Sequence, residues 1–148
     1  MDLFVCWANV WRSQVAEWFA KNIGKDVLSC ASVEARKEKY NYKPEEVVTN
    51  IMRDKYNINI ENQVVYYPND IKKYLSKIEN IYFLFDPNKV DSIDKDVLID
   101  WRNFWEYLDY IWKKYFIYEI EDPDKKDLWV IESIVDELNV LVNKKIYS

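Results

Sequence analysis

The sequence predicts an α/β fold: four short parallel strands in one sheet, with helices on both faces. Two observations carry this reading. Four apolar runs lie along the chain (Leu3–Val5, Asp26–Cys30, Asn80–Phe85 and Phe116–Ile120), each as short as a strand buried on both faces. Between and after them come segments whose apolar residues recur at helical spacing, which is the alternation that gives βαβ units.

Leu3-Phe4-Val5 reads as strand 1. Arg12 to Asn22 follows as a helix, with Val15, Phe19 and either Ala16 or Ala20 on one side, and Gly24 stands where a helix C-cap is expected. Asp26–Cys30 is strand 2. Arg36–Tyr42 is polar and turn-like. Pro44-Glu45-Glu46 opens a second helix, since proline suits the first turn and acids suit a helix N-terminus; it is expected to run to about Lys55. Another helix is expected from Asn69-Asp70 through Lys77, before strand 3 at Asn80–Phe85. Asp96–Lys114 places Leu98, Trp101, Trp105, Leu108 and Trp112 at amphipathic spacing. Phe116–Ile120 is strand 4. Asp124–Lys145 closes the chain as a helix, with Leu128, Ile131, Ile134, Val135, Leu138 and Leu141 on one side.

Composition narrows the function. A chain of 148 residues suits a single domain, residues 1–148, with a proper core. Its net charge of −5, with acids and bases interspersed, argues against nucleic acid as partner. No apolar run approaches the ~20 residues of a membrane span, so no membrane partner is expected. No signal-peptide pattern opens the chain, and the expected location is cytoplasmic. Two cysteines without ligand spacing point to reduced thiols. Histidine is absent, which removes it as general base, metal ligand or phosphocarrier. Oligomeric state leaves no signature.

The chemistry concentrates at Cys6 and Arg12. Cys6 ends strand 1 and Arg12 enters the first helix, so both fall at the carboxyl edge of the sheet, where such folds bind ligands. In a strand-to-helix loop, backbone N–H groups converge on one anion, and the same field favours a thiolate at Cys6. Arg12 offers a planar fork to two phosphate oxygens. Ser13 can donate to the Cys6 sulfur and stabilise it as a leaving group, and Asn9 tolerates a left-handed turn. Asp122, in Ile120-Glu121-Asp122-Pro123, also follows a strand and is the candidate proton donor.

Val5-Cys6-Trp7-Ala8-Asn9-Val10-Trp11-Arg12-Ser13-Gln14-Val15-Ala16-Glu17 resembles the phosphate-binding loop of the low-molecular-weight protein tyrosine phosphatases and related arsenate reductases, V-C-x-G-N-x-C-R-S-x-x-A-E. Ile120–Pro123 resembles the family's general-acid loop, and Leu28–Ser32 its serine-alanine-glycine segment. The resemblance runs nearly end to end. It implies a phosphatase-I-like sheet of order 2-1-3-4, with Cys6 as nucleophile, Arg12 as phosphate ligand and Asp122 as general acid. The phosphate cradle would be residues 7–13: Trp7, Ala8, Asn9, Val10, Trp11, Arg12 and Ser13. The substrate would be a phosphorylated protein or small phosphate ester, cleaved through a phosphocysteine, with neither metal nor other cofactor required.

The sequence departs from that pattern at several positions. Ala8 stands for glycine and Trp11 for the second loop cysteine; Asp124-Lys125-Lys126 follows where the animal phosphatases place tyrosines, and the family's supporting histidine is missing. Trp7 or Trp11 is then a candidate aromatic wall. No cysteine follows position 30, which weighs against thioredoxin-coupled arsenate reduction. Three readings stay open: a phosphatase, a non-catalytic phosphate- or phosphoprotein-binding module, and an arsenate reductase using an external thiol.

Overall fold

The computed structural model describes residues 1–6, 11–32, 45–86, 114–122 and 126–148. Four strands form one parallel sheet: β1 (Asp2–Cys6), β2 (Val27–Ala31), β3 (Asn80–Phe83) and β4 (Lys114–Ile117). Their order is β2-β1-β3-β4, as the resemblance implied. The registers set Cys6 opposite Ala31, Val5 opposite both Cys30 and Phe83, and Phe83 opposite Ile117.

Alternation along the strands builds two cores. Phe4, Cys6, Tyr82 and Leu84 face α1 (Arg12–Asn22), α2 (Glu46–Tyr56) and α4 (Leu128–Val140). Leu3, Val5, Cys30, Ile81 and Phe83 face the other side, where Ile71, Leu75 and Ile78 cover them from α3 (Pro68–Ile71) and the residues after it. The central strands are therefore buried on both faces, which is why their sequences read as unbroken apolar runs.

Helix ends follow local chemistry. α1 begins and ends where its sequence predicts and closes in a Schellman motif: Lys25 N–H donates to Ala20 O at 3.0 Å and Gly24 N–H to Lys21 O at 2.9 Å. Gly24 takes φ +81°, a conformation that costs an L-residue free energy. α2 starts at Glu46, two residues past the expected Pro44, and ends at Tyr56, with Asn57 as its C-cap at φ 54°. Lys55 Nζ donates to Asp136 at 2.7 Å and Glu132 at 3.1 Å, and the Tyr56 hydroxyl donates to Asp136, joining α2 to α4. Burial pushes the Asp136 carboxyl up, but Lys55 and Tyr56 outweigh it and hold its pKa low.

Several expectations are corrected. The helix expected from 69 to 77 is one α-turn, Pro68–Ile71, continuing as a 3-10 turn, Lys72–Tyr74; Pro68 opens it, and Asp70 accepts the Tyr67 N–H at 2.9 Å. The closing helix starts at Leu128 rather than Asp124, runs to Val140 and ends in a π-helical turn, Leu141–Ile146. Leu128 sits in its first turn and is 58 % exposed, not in the core. Lys114 opens β4 rather than ending a helix. β4 stops at Ile117 instead of Ile120, and, lying at the sheet edge, leaves its residues exposed rather than buried. The expected helix over 96–113 and turn over 36–42 lie outside the described residues. Among the described residues, no helix is long and apolar enough to cross a membrane.

The chain's ends meet on Asp2. It accepts Asn80 Nδ2 at 3.0 Å and the Tyr147 hydroxyl at 2.7 Å. Glu17, on the buried side of α1, pairs Oε2 with Lys21 at 3.1 Å, while Oε1 accepts no hydrogen bond among the described residues. Burial raises its pKa, and Lys21 opposes the shift only in part.

Two outcomes follow for stability. Nothing lies within 4 Å of a Cβ added at Gly24, so Gly24→Ala should cost only its backbone strain, about 1 kcal/mol in urea unfolding. A carboxyl whose folded pKa is raised contributes stability below its unfolded pKa and loses it as pH rises through the folded value. Glu17→Gln should therefore gain on wild type as urea unfolding is repeated from about pH 4 to about pH 8. A difference that does not change with pH would contradict this.

Candidate active site

Three chain segments meet beyond the carboxyl ends of β1, β3 and β4. The first is the end of β1. Cys6 is its last residue, is buried on the α1 side, and its carbonyl accepts the Ser32 N–H at 2.9 Å. The second is the start of α1. Trp11 occupies the N-cap position, and an indole carries no acceptor for the helix N–H groups; no side chain caps this end. The first-turn N–H groups thus have no side-chain cap among the described residues, and an uncapped helix N-terminus is a favourable place for an anion. Ser13, also in that turn, is fully buried and shares a 3.0 Å hydrogen bond between its Oγ and Cys6 Sγ.

The third segment leads from β4 to Asp122. Past Ile117, Tyr118 N–H donates to Phe83 O at 2.8 Å and Ile120 N–H to Leu84 O at 3.1 Å. Arg12 closes the group. Its guanidinium is almost wholly buried (the residue is 6 % exposed), and Nη1 donates to Ile120 O at 2.9 Å and Leu84 O at 3.3 Å. Charged hydrogen bonds of this kind contribute about 1.5–3 kcal/mol each, and they offset the burial of the cation. Arginine's remaining Nε–Nη2 edge has the spacing that matches two phosphate oxygens.

Cys6, Arg12 and Ser13 are therefore together. Asp122 is exposed and lies two residues past Ile120, within about 7 Å of it along the chain. Its neighbour Glu121 reaches Lys126 at 3.4 Å, an exposed pair of little energetic weight. Trp7, Ala8, Asn9 and Val10 lie outside the described residues, as does Pro123. Trp11 is placed differently from one expectation: its side chain is 3 % exposed and packs in the core with Val15 and Phe19, so its ring is not an aromatic wall for substrate. Cys30 shares a face with Val5, on the opposite side of the sheet from Cys6, so the two thiols cannot pair; neither is in a disulfide.

Sequence reasoning missed the Leu84 and Ile120 carbonyls as partners of Arg12. Backbone acceptors leave no residue-type signal. Among the described residues, no group of three or more acidic, histidine or cysteine side chains is placed to hold a metal. A cavity of about 380 Å³ between α1 and residues 59–66, walled by Trp18 and Tyr66, shares no residue with this cluster.

No protein-family model matches the sequence, and no curated protein matches it. Solved structures do match in three dimensions. A low-molecular-weight protein tyrosine phosphatase from T. tengcongensis is 22 % identical with a TM-score of 0.67, over 97 % of this chain and 95 % of that one. An arsenate reductase from Archaeoglobus fulgidus is 17 % identical with a TM-score of 0.70 over the whole of both chains. Vibrio vulnificus Wzb, solved in complex with benzylphosphonate, is 14 % identical with a TM-score of 0.70, over 97 % of this chain and 96 % of that one. With its β2-β1-β3-β4 parallel sheet, the chain has the fold of the low-molecular-weight protein tyrosine phosphatases and arsenate reductases.

Proposed function

We propose that this protein is a phosphatase that hydrolyses phosphotyrosine or small aryl phosphates through a phosphocysteine on Cys6. One observation carries the reading: the Cys6 sulfur lies 3.0 Å from the Ser13 hydroxyl, at the uncapped N-terminus of a helix whose first residue is the buried Arg12. A nucleophile, a sulfur-directed hydroxyl, a helix N-terminus and a fixed cation are what in-line transfer of a phosphoryl group needs.

In the first step the Cys6 thiolate attacks phosphorus and the ester P–O bond breaks. Asp122 gives its proton to the departing oxygen, so an aryl alcohol leaves neutral. Arg12 and the N–H groups of residues 7–13 take up the charge on the equatorial oxygens. In the second step Asp122, now a carboxylate, accepts a proton from water as that water attacks phosphorus. The S–P bond breaks, Ser13 donates to the emerging sulfur, and inorganic phosphate is released. Both steps balance without a metal. Arsenate reduction on this scaffold would need a thiol from outside the chain, because Cys30 lies across the sheet from Cys6.

The test is p-nitrophenyl phosphate turnover with vanadate inhibition. Cys6→Ser should fall to background. Arg12→Ala should lose about 10²–10³-fold in kcat/KM and lose phosphate binding. Asp122→Asn should lose about 10²-fold in kcat, and more with phenyl phosphate, whose leaving group depends on the proton. Phosphate binding with no turnover would instead mark a binding module. Wild type and Cys6→Ser equally inactive over a broad pH range would overturn the phosphatase reading.

A further inference from the structure

We propose that Arg12 has a second role: it is the positioning residue for Asp122, holding the acid-bearing segment against the start of α1 through the Ile120 carbonyl. The inference rests on the phosphatase reading for the role of Asp122, but its geometry does not. Past Ile117, Tyr118 N–H still donates to Phe83 O at 2.8 Å. Ile120 is the next buried anchor, two residues short of Asp122. Its side chain is buried, its N–H donates to Leu84 O at 3.1 Å, and its carbonyl accepts Arg12 Nη1 at 2.9 Å. Leu84 O accepts Arg12 Nη1 as well, at 3.3 Å, and Leu84 N–H donates to Val5 O at 2.9 Å, one residue before Cys6. The contacts close a ring: Arg12 to Ile120, Ile120 to Leu84, Leu84 back to Arg12, with β1 attached through Val5.

Two consequences follow from the ring. The guanidinium cannot rotate about its own axis without losing both carbonyls, so its Nε–Nη2 edge keeps one orientation. The backbone at Ile120 cannot move away without stranding a buried donor, so Asp122 stays within two residues of a point fixed to Cys6. One side chain thus sets where the phosphate is gripped and where its leaving group meets the acid. A lysine at position 12 keeps the charge but lacks the planar fork that serves carbonyls and phosphate at once.

A double-mutant cycle on kcat/KM tests this, using phenyl phosphate and p-nitrophenyl phosphate with wild type, Arg12→Lys, Asp122→Asn and the double variant. If Arg12 positions Asp122, then Asp122→Asn costs more than about 10²-fold with phenyl phosphate in the wild-type background and less than about 5-fold in the Arg12→Lys background. Arg12→Lys alone should lose more on phenyl than on p-nitrophenyl phosphate, a leaving-group dependence that plain loss of phosphate binding does not produce. Hydrogen exchange supplies an arm that needs no turnover. In Arg12→Lys the Ile120 amide should exchange at least about 10-fold faster, while amides of β1 and β2 keep their protection. Should the buried lysine prevent folding, Arg12→Gln carries the same measurements. Equal Asp122→Asn factors in both backgrounds, or unchanged protection at Ile120, overturns the proposal. If wild type turns nothing over, the phosphatase reading falls, and the exchange arm alone decides whether Arg12 holds the segment.

Discussion

A guanidinium does not enter a protein interior without acceptors, and the arrangement at the sheet's carboxyl edge follows from how Arg12 meets that demand. The acceptors it uses are carbonyls that follow β3 and β4, Leu84 and Ile120. Those carbonyls are available because they project past the last paired residues of their strands, Phe83 and Ile117, where ladder partners run out. At that edge Leu84 O already accepts the Ile120 N–H, and the first residue of α1 supplies a cation that donates to both oxygens. Removing that cation takes the donor from the Ile120 carbonyl and leaves Leu84 O with the Ile120 N–H alone; removing the acceptors leaves a buried charge. Either costs several kcal/mol, far more than an exposed ion pair such as Lys126–Glu121 contributes.

The parallel sheet sets the rest. Parallel strands require crossovers, and β1 with β2 uses α1 for its own, so the residue that ends β1 and the residue that begins α1 must lie at the same edge. Cys6 and Arg12 are adjacent for that topological reason. The pairing of β1 with β3 brings Leu84 beside them, and the pairing of β3 with β4 brings Ile120. The Cys6 and Arg12 pair, Leu84 and Ile120, distant from one another in sequence, are collected at one point by strand order. The closing helix packs on α1 and α2, and Tyr147 returns to Asp2, so the last turn of the chain holds the first strand from its far end.

Much of this was legible in the residues, and what was not has a physical reason. Continuous apolar runs located β1, β2 and β3, because burial on both faces erases alternation. α1 could be read to the residue, since Gly24 marks its stop by a φ that only glycine adopts easily. Reading failed where tertiary position outweighs periodicity. Leu128 fits the apolar stripe of the closing helix, yet as the first residue of that helix it stays 58 % exposed. Phe116 and Ile117 look like core residues, yet they lie on an edge strand whose described partner, β3, is on one side only. The proximity of Cys6, Arg12 and Ser13 was legible because the residues are close in sequence. The link from Arg12 to the Asp122 segment was not, because it runs through backbone oxygens that any residue would supply.

Trp11 shows how a loop can change its chemistry while keeping its support. In the resembling pattern that position is a second cysteine, close enough in sequence to offer the nucleophile a disulfide partner. Here an indole fills it and is driven into the core beside Val15 and Phe19, where its ring adds apolar burial at the junction of loop and helix. The exchange gives anchorage and removes the local thiol. Cys30 does not replace it. The β1–β2 register puts Cys30 beside Val5 and Cys6 beside Ala31, and adjacent strand positions face opposite sides of a sheet. A sulfenic acid formed on Cys6 would meet no second thiol from this chain, so its recovery would depend on a small-molecule or protein thiol from outside. The same register that places Cys6 at the sheet edge thus also puts the chain's other thiol across the sheet from it.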